Sequence, residues 1–247
     1  MMSTTVSSTE PCTVSLHTSQ LVVRSRRLPS PDDFHRLLFL GWTDKKERPF
    51  LFRADRVLDP SGKFMVVSML VTATCAPDWS ALETREPGVF LERRERRVTW
   101  NLHAGDTFAF KVRGHTATDR ILPELVEAAD REGRRVARGA PTYTAVARTY
   151  ADRVAWLRAR FVGSGCALRR TPLGEEIEPT VSNTVDLVAE KDQPDRRRER
   201  AVAHVADFDG QLVVTDPARF ARVLQRGLSG CDRRHLGCGL VSIRRIA

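Results

Sequence analysis

The sequence lacks any long apolar run. No stretch of its 247 residues approaches the roughly 20 apolar residues that a membrane-spanning helix needs. The beginning, MMSTTVSSTEPCTVS, lacks the charged segment and the apolar segment of a secretory signal. We therefore expect a cytoplasmic protein with a packed core, for which 41% hydrophobic residues suffice.

Cysteine is scarce as well. The five cysteines are an odd number at irregular spacings, which fits reduced thiols better than a disulfide framework. Cys231, His235 and Cys238 are residue types that bind zinc, but no CxxC or HxxxH pair elsewhere supplies further ligands, so we expect no metal site and no cofactor. Phosphate-loop, G-x-S-x-G and paired-acid motifs are absent too.

Lysine is nearly absent, whereas arginine is abundant. Only five of the 40 basic residues are lysines, and the formal net charge is +9. Residues 131–170 alone hold ten arginines against two acidic residues. The planar guanidinium binds phosphate through two hydrogen bonds and stacks on bases, so this composition favours a polyanionic partner. An arginine-rich genome is the alternative explanation.

Hydrophobic patterns divide the chain into two similar halves. In the first half they predict a strand over 13–23, a helix that begins after Ser30 and ends near Gly41, and the strands PFLFRADRV and KFMVVSMLVTAT. A short helix near 78–82 and the strand DTFAFKVRG complete this half.

The second half repeats the pattern. It contains the predicted strand RRVARG, a helix over 144–161, the strands CALRRTP, VSNTVDLVAE and AVAHVADFDGQLVVTD, a helix capped by Asp216, and the strand GLVSIRRI. Two successive βαββαβ patterns predict an α+β fold with two tandem ferredoxin-like (RRM-like) domains. We place them at 1–120 and 134–247, with a linker at 121–133.

A glycine-rich segment lies between the last helix and the last strand. It runs from Gly227 to Gly239 and contains four glycines with Arg233 and Arg234. Glycine lets a backbone approach a phosphate group closely, and the arginines are placed to bind it. A flexible turn that needs positive φ angles is an equal alternative on this pattern alone.

The closing segment FDGQLVVTDPARFARVLQRGLSGCDRRHLGCGLVSI resembles the end of CasE proteins. APDW at 76–79, AWL at 155–157 and a helix that carries His-Arg at 35–36 also resemble landmarks of this family. The resemblance implies two ferredoxin-like domains and metal-independent cleavage of CRISPR precursor RNA. It also implies that the protein stays on the repeat RNA hairpin, together with the other subunits of a Cascade complex.

The same resemblance implies that His35 is the catalytic residue. RNA can be cut by its own 2′-hydroxyl, and an imidazole can accept that proton or donate one to the leaving 5′-oxygen. We expect His35 in the first turn of its helix, where the positive end of the helix dipole favours neutral imidazole. A lone histidine at a helix edge is otherwise usually structural.

The remaining candidate residues are expected RNA contacts. Arginines near His35 would hold the scissile phosphate. The basic run 195–200 lies between two predicted strands, like the hairpin with which the family binds an RNA stem. The candidates are Arg24, Arg26, Arg27, Arg36, Lys111, Arg113, His115, Arg196, Arg197, Arg198, Arg200, Arg233, Arg234, His235, Gly237 and Gly239.

Two positions depart from the family pattern. Asp32 stands where relatives often carry a tyrosine, and Ser229 stands at the second glycine of a longer loop. The missing tyrosine leaves open a non-catalytic subunit that only binds the RNA hairpin. An unrelated basic protein of RNA assembly is a third alternative.

Overall fold

The first half of the chain folds around one antiparallel sheet. The computed structural model describes residues 10–25, 31–42, 50–58, 65–121, 127, 131, 142–190, 200–229 and 236–246. The elements of the first half are β1 (Cys12–Ser25), α1 (Pro31–Phe39), β2 (Phe50–Leu58), β3 (Met65–Ala73), α2 (Trp79–Arg85) and β4 (Phe90–Leu102). The strand order β2-β3-β1-β4 with these connections is that of a ferredoxin-like domain.

The second half repeats this arrangement around another sheet. Its elements are β5 (Thr107–His115), β6 (Ala117–Ile121), β7 (Thr142–Val146), α3 (Tyr150–Phe161), β8 (Cys166–Leu168), β9 (Thr180–Glu190), β10 (Arg200–Val214), α4 (Pro217–Arg226) and β11 (Val241–Arg245). The sheet has the order β11-β5-β10-β8 with β9 also paired to β10, and β6 and β7 form a separate two-stranded sheet. The predicted α+β fold with two tandem ferredoxin-like domains is confirmed. None of the helices in the described ranges is long and apolar enough to cross a membrane.

Helix starts follow the local sequence. Asp78 accepts hydrogen bonds from two backbone amides of α2. Asp216 caps α4 in the same way, with Pro217 at the first helical position, and the helix ends at Gly227 with a φ of +83°. The predicted start and end of this last helix are confirmed.

The fourth strand of the first sheet differs from the prediction. The segment DTFAFKVRG forms β5, which pairs with β10 and β11 in the second sheet. Its residues Phe108, Phe110 and Val112 are buried in the core of the second domain. The true fourth strand is β4, in which residues 91–97 are all exposed. This stretch was missed because it shows no alternation of apolar and polar residues.

The first helix of the second half also begins later than predicted. Residues 144–146 belong to β7, and α3 begins only at Tyr150, because β-branched and aromatic residues at 142–146 pair with β6. The predicted strand 134–139 and nearly all of the predicted linker lie outside the described residues. Since the two sheets are separated by the turn at 103–106, we propose that the domain boundary lies there.

The two domains share an apolar core. Val14 and Leu16 of β1 and Leu102 of β4 are buried in the cluster that fills the second domain, and α4 lies against β1 and β2. A polar contact accompanies this packing, because Nη1 of the buried Arg53 donates to Oγ of Ser242 at 3.1 Å. The first sheet is thus fixed to the second by side chains that are removed from water.

A buried ion pair strengthens this junction. Arg113 of β5 donates to Asp207 of β10 from Nε at 2.6 Å and from Nη2 at 2.8 Å, and Asp207 is 0% exposed. The same guanidinium donates to Asp55 at 3.0 Å and to the carbonyl oxygen of Ala54, both on β2 of the first domain. Nδ2 of Asn183 donates to Oδ2 of Asp207 at 3.0 Å, the oxygen that also accepts from Nη2 of Arg113. One arginine therefore joins two strands of its own sheet to the neighbouring domain.

Arg113→Ala should strongly destabilise the fold. The substitution leaves the buried carboxylate of Asp207 without its cation, which typically costs about 3–5 kcal/mol. Urea unfolding followed by circular dichroism should show this loss of unfolding free energy. Arg222→Ala, which removes an exposed arginine from α4, should stay within about 0.5 kcal/mol of the wild type. Equal effects of both substitutions would contradict a structural role for the Arg113 network.

The same network predicts a pH dependence of stability. Burial alone would raise the pKa of Asp207, but the hydrogen bonds and charge of Arg113, helped by Asn183 and Lys111, outweigh it and lower the pKa. Folding therefore gains from this group above its unfolded pKa, and the gain is lost as the pH falls through the folded pKa. Below about pH 4 the unfolding free energy of the wild type should decline more steeply than that of Asp207→Asn. Parallel declines in urea titrations would exclude Asp207 as the source.

Candidate functional site

His35 lies on α1 against a cluster of aromatic rings. Its imidazole centroid is 5.4 Å from Phe50, 6.0 Å from Phe39 and 6.3 Å from Phe52, and the residue is half-buried. These contacts restrict the rotation of the ring while part of it stays accessible. His35 is the fifth residue of α1, which places it just beyond the predicted first turn, so the effect of the helix dipole is weaker than expected.

The end of the glycine-rich segment reaches the same aromatic cluster. Gly237 has a φ of +80°, and a Cβ atom added there would lie 3.3 Å from Cε2 of Phe52. Gly239 has a φ of +90°, and its amide donates to the carbonyl oxygen of Arg113 at 2.8 Å. Phe52 therefore touches both His35 of the first domain and the glycine segment of the second.

The burial of these glycines changes their interpretation. Gly237 and Gly239 are both buried, so their backbone is packed against protein and does not lie open toward a ligand. Their positive φ angles favour the alternative of a tight turn that only glycine adopts without strain. Residues 230–235, which include Arg233, Arg234 and His235, lie outside the described part of the chain.

The predicted basic hairpin is built on β9 and β10. These strands pair antiparallel up to Glu190 and Arg200, so the run 195–200 connects two paired strands, as predicted. Arg196, Arg197 and Arg198 lie outside the described residues. Helix α1, which carries His35 and Arg36, lies against β9. The structure therefore brings the candidate catalytic helix of one domain to the hairpin of the other.

The three candidates on β5 have different environments. Arg113 is 13% exposed and bonded to Asp207, Asp55 and Ala54, which gives it a structural role, while its contact with RNA stays a prediction. Lys111 is 33% exposed, and its Nζ lies 3.9 Å from Asp209.

His115, the last residue of β5, lies close to a second histidine. Its ring is parallel to that of His204, with centroids 6.5 Å apart. Its Nδ1 also lies 3.2 Å from the backbone oxygen of His204. The strand end that was expected to reach RNA therefore presents two histidine rings.

The arginines near His35 are only partly described. Arg24 lies at the end of β1, where its amide donates to the carbonyl oxygen of Val89 at 3.1 Å, and Arg36 lies in the last turn of α1. Both side chains are exposed. Arg26 and Arg27 lie outside the described residues. Their predicted contacts with the scissile phosphate stay a prediction.

Sequence reasoning missed a second group of exposed arginines on β4. Arg93 and Arg94 form ion pairs with neighbouring glutamates, whereas Arg96 and Arg97 line a cavity with His17. These arginines were missed because β4, the edge strand that carries them, was not predicted. The apolar end of this strand, VTWNL, was the available signal.

The chain belongs to a family of CRISPR associated proteins. The family model with the description "CRISPR associated protein" matches residues 12–245, which is nearly the whole chain. This match confirms the resemblance to the CasE family.

Individual relatives agree with the family match. The CRISPR-associated endoribonuclease Cse3 of Thermus thermophilus is 27% identical over 222 residues, which cover 88% of this chain and 92% of the relative. The fold is similar to that of a CRISPR endoribonuclease Cse3 bound to 19-nucleotide RNA, with a TM-score of 0.65, 22% identity, and coverage of 93% of this chain and 99% of the other. A chain of a CRISPR RNA-guided surveillance complex has a TM-score of 0.54 at 17% identity, with coverage of 92% and 100%.

Gly237→Ala should disturb both stability and the environment of His35. A residue other than glycine at this φ typically costs about 1–3 kcal/mol, and the new methyl group would press on Phe52. Gly174→Ala is the matched control, because Gly174 has a φ of +85° with open space around it. Urea unfolding should show a loss in both variants that is larger for Gly237→Ala. Only Gly237→Ala should shift the imidazole resonances of His35, and unchanged resonances would disprove the link through Phe52.

Proposed function

We propose that this chain is an endoribonuclease that binds the hairpin of a CRISPR repeat and cuts the precursor RNA beside it. The observation that carries the proposal is the position of α1, the helix that carries His35, against β9 of the other domain. Membership of the CRISPR associated family and the similarity to an endoribonuclease Cse3 support it.

The proposed chemistry uses the RNA as its own nucleophile. The 2′-hydroxyl attacks the adjacent phosphorus, the bond to the 5′-oxygen breaks, and the products carry 2′,3′-cyclic phosphate and 5′-hydroxyl ends. His35 would act as the general acid or base, a role that suits imidazole near neutral pH. The rings of Phe39, Phe50 and Phe52 would keep the imidazole in one orientation, so that proton transfer needs little rearrangement. A reaction of this kind needs no metal ion.

Arginines would supply the electrostatic part of the reaction. Arg36 is exposed and follows His35 in α1, and Arg24 is exposed near the end of β1; a guanidinium at the scissile phosphate would stabilise the charge that develops on the pentacovalent phosphorus. Across the domain junction, the basic run between β9 and β10 would hold the RNA stem through its phosphates and shape. The catalytic residue and the contacts with the RNA stem would thus come from different domains.

We further propose that the protein stays bound to the processed RNA as a subunit of a Cascade complex. The resemblance in fold to a chain of a CRISPR RNA-guided surveillance complex supports this role. A specific position favours a second candidate function, because Asp32 on α1 replaces the tyrosine that many relatives carry. A chain without that group could bind the hairpin and contribute no catalysis.

His35→Ala should abolish or strongly slow cleavage of a labelled repeat hairpin and leave its affinity within a few-fold. A proton-transfer group contributes typically about 10²–10⁴ to the rate and little to ground-state binding. His103→Ala, at an exposed turn between the domains, is the matched control and should cleave normally. A 2′-deoxy nucleotide just upstream of the cut should block the wild type, because the nucleophile is then absent.

Each outcome separates the alternatives. Normal cleavage of the deoxy hairpin would replace the transesterification with attack by water. Tight binding without any cleavage by the wild type would support the non-catalytic subunit. If the wild type neither binds nor cuts the hairpin, the proposed function is wrong.

A further inference from the structure

A cavity lies at the base of the hairpin formed by β9 and β10. Its volume is about 180 Å³. Its polar wall consists of Thr116 after β5, Arg148 and Arg153 around the start of α3, Thr184 on β9 and His204 on β10. It opens on the surface and is separate from the aromatic cluster around His35. None of the described residues that line it is acidic.

An irregularity in β9 shapes this cavity. The register of β9 and β10 shifts between Val205 and Asp207, where two residues of β9 oppose one residue of β10. The first of the two, Asn183, has a φ of +49°, the only positive φ of a residue other than glycine in the described ranges. The bond from Asn183 to the buried Asp207 holds this conformation. A bulge of this kind redirects the next side chain, which here is that of Thr184 at the cavity wall.

The opposite wall is also held in place. Nε of Arg153 donates to the carbonyl oxygen of Ala147 at 3.2 Å, and the amide of Ala147 donates to the carbonyl oxygen of Thr116 at 3.0 Å. The capping box of Thr149 fixes the first turn of α3 between the two arginines. Two arginines, hydroxyl groups and an imidazole therefore line this space, and no carboxylate is among its described lining residues, which is the chemistry that binds a phosphate group.

We propose that this cavity binds one backbone phosphate of the repeat RNA at the base of the hairpin, an inference that rests on the proposed function. Its position selects RNA over a free anion, because β9 and β10 continue from the cavity directly into the arginine-rich run, and α1 lies against β9. An RNA stem that is bound by the arginine-rich run would also pass along the cavity wall. The cavity then fixes the register of the stem relative to His35.

The test combines protein variants with neutral phosphates. Repeat hairpins that carry a single methylphosphonate at each successive position remove one negative charge at a time. Wild-type protein should bind one or two of these hairpins about tenfold more weakly than the unmodified hairpin, since a hydrogen bond to a charged group contributes this much. The double variant Arg148→Ala with Thr184→Val should bind the unmodified hairpin about tenfold more weakly and lose its sensitivity at those positions.

The controls distinguish the loss of one phosphate contact from a general loss of positive charge or of folding. Arg222→Ala removes the same charge from the exposed face of α4 and should keep the full pattern of sensitivity. Arg153 stays unchanged because its Nε bond supports the chain around Ala147. If thermal melting shows that the double variant is not folded, Arg148→Ala alone, at an exposed position, carries the same prediction with a smaller effect.

The outcomes distinguish the failure of this inference from failure of the function. If the wild type binds the hairpin and the double variant shows the same sensitivity to each methylphosphonate position, the proposed phosphate site is wrong and the proposed function stands. A wild type that does not bind the hairpin overturns both. A cavity that binds inorganic phosphate in a thermal-shift titration, without coupling to any RNA position, is a site for a free anion and also contradicts the proposal.

Discussion

The ion pair between Arg113 and Asp207 is the contact on which the rest of the structure depends. A carboxylate that is 0% exposed is costly unless it is compensated, and Arg113 compensates it while also bonding to Asp55 and Ala54 of the first domain. The backbone oxygen of the same arginine accepts the amide of Gly239. One residue therefore joins the second sheet, strand β2 and the end of the glycine segment, and together with the shared apolar core it fixes the relative position of the domains.

Most of the fold was predictable because most elements bury one face. The alternation in β1, the capped start of α4 and the repeated βαββαβ order identified two ferredoxin-like domains. The errors arose where the spacing of apolar residues shows no periodicity or shows the periodicity of another element. Strand β4 is exposed over 91–97, so β5 was assigned to the wrong sheet although it was correctly predicted as a strand. Val146 continues the helical spacing of α3 into β7, and only tertiary pairing with β6 decides its state.

The candidate site was predictable to a smaller extent, since sequence patterns identify residue types but not their partners. His35 was found through a resemblance and the glycine segment through its composition, whereas their common contact with Phe52 depends on how the domains meet. Arg113 looks like any arginine at a strand end, and only the burial of Asp207, which is distant in the sequence, makes it structural. The bulge at Asn183 is invisible in the sequence for the same reason, because register exists only between two paired strands.

The division of labour between the domains makes the proposed catalysis more sensitive to the junction than binding is. Contacts with phosphates are spread over several flexible arginine side chains, which tolerate a small displacement of the RNA. Proton transfer by His35 tolerates much less, because an error of about 1 Å in the position of a reacting group can cost a factor of about 10² in rate. The hairpin and the imidazole lie in different domains, and the buried Arg113 network fixes the distance between them. This arrangement therefore requires a rigid, desolvated junction between the domains. A hinged junction would keep the affinity for the RNA hairpin but lower the rate of cleavage.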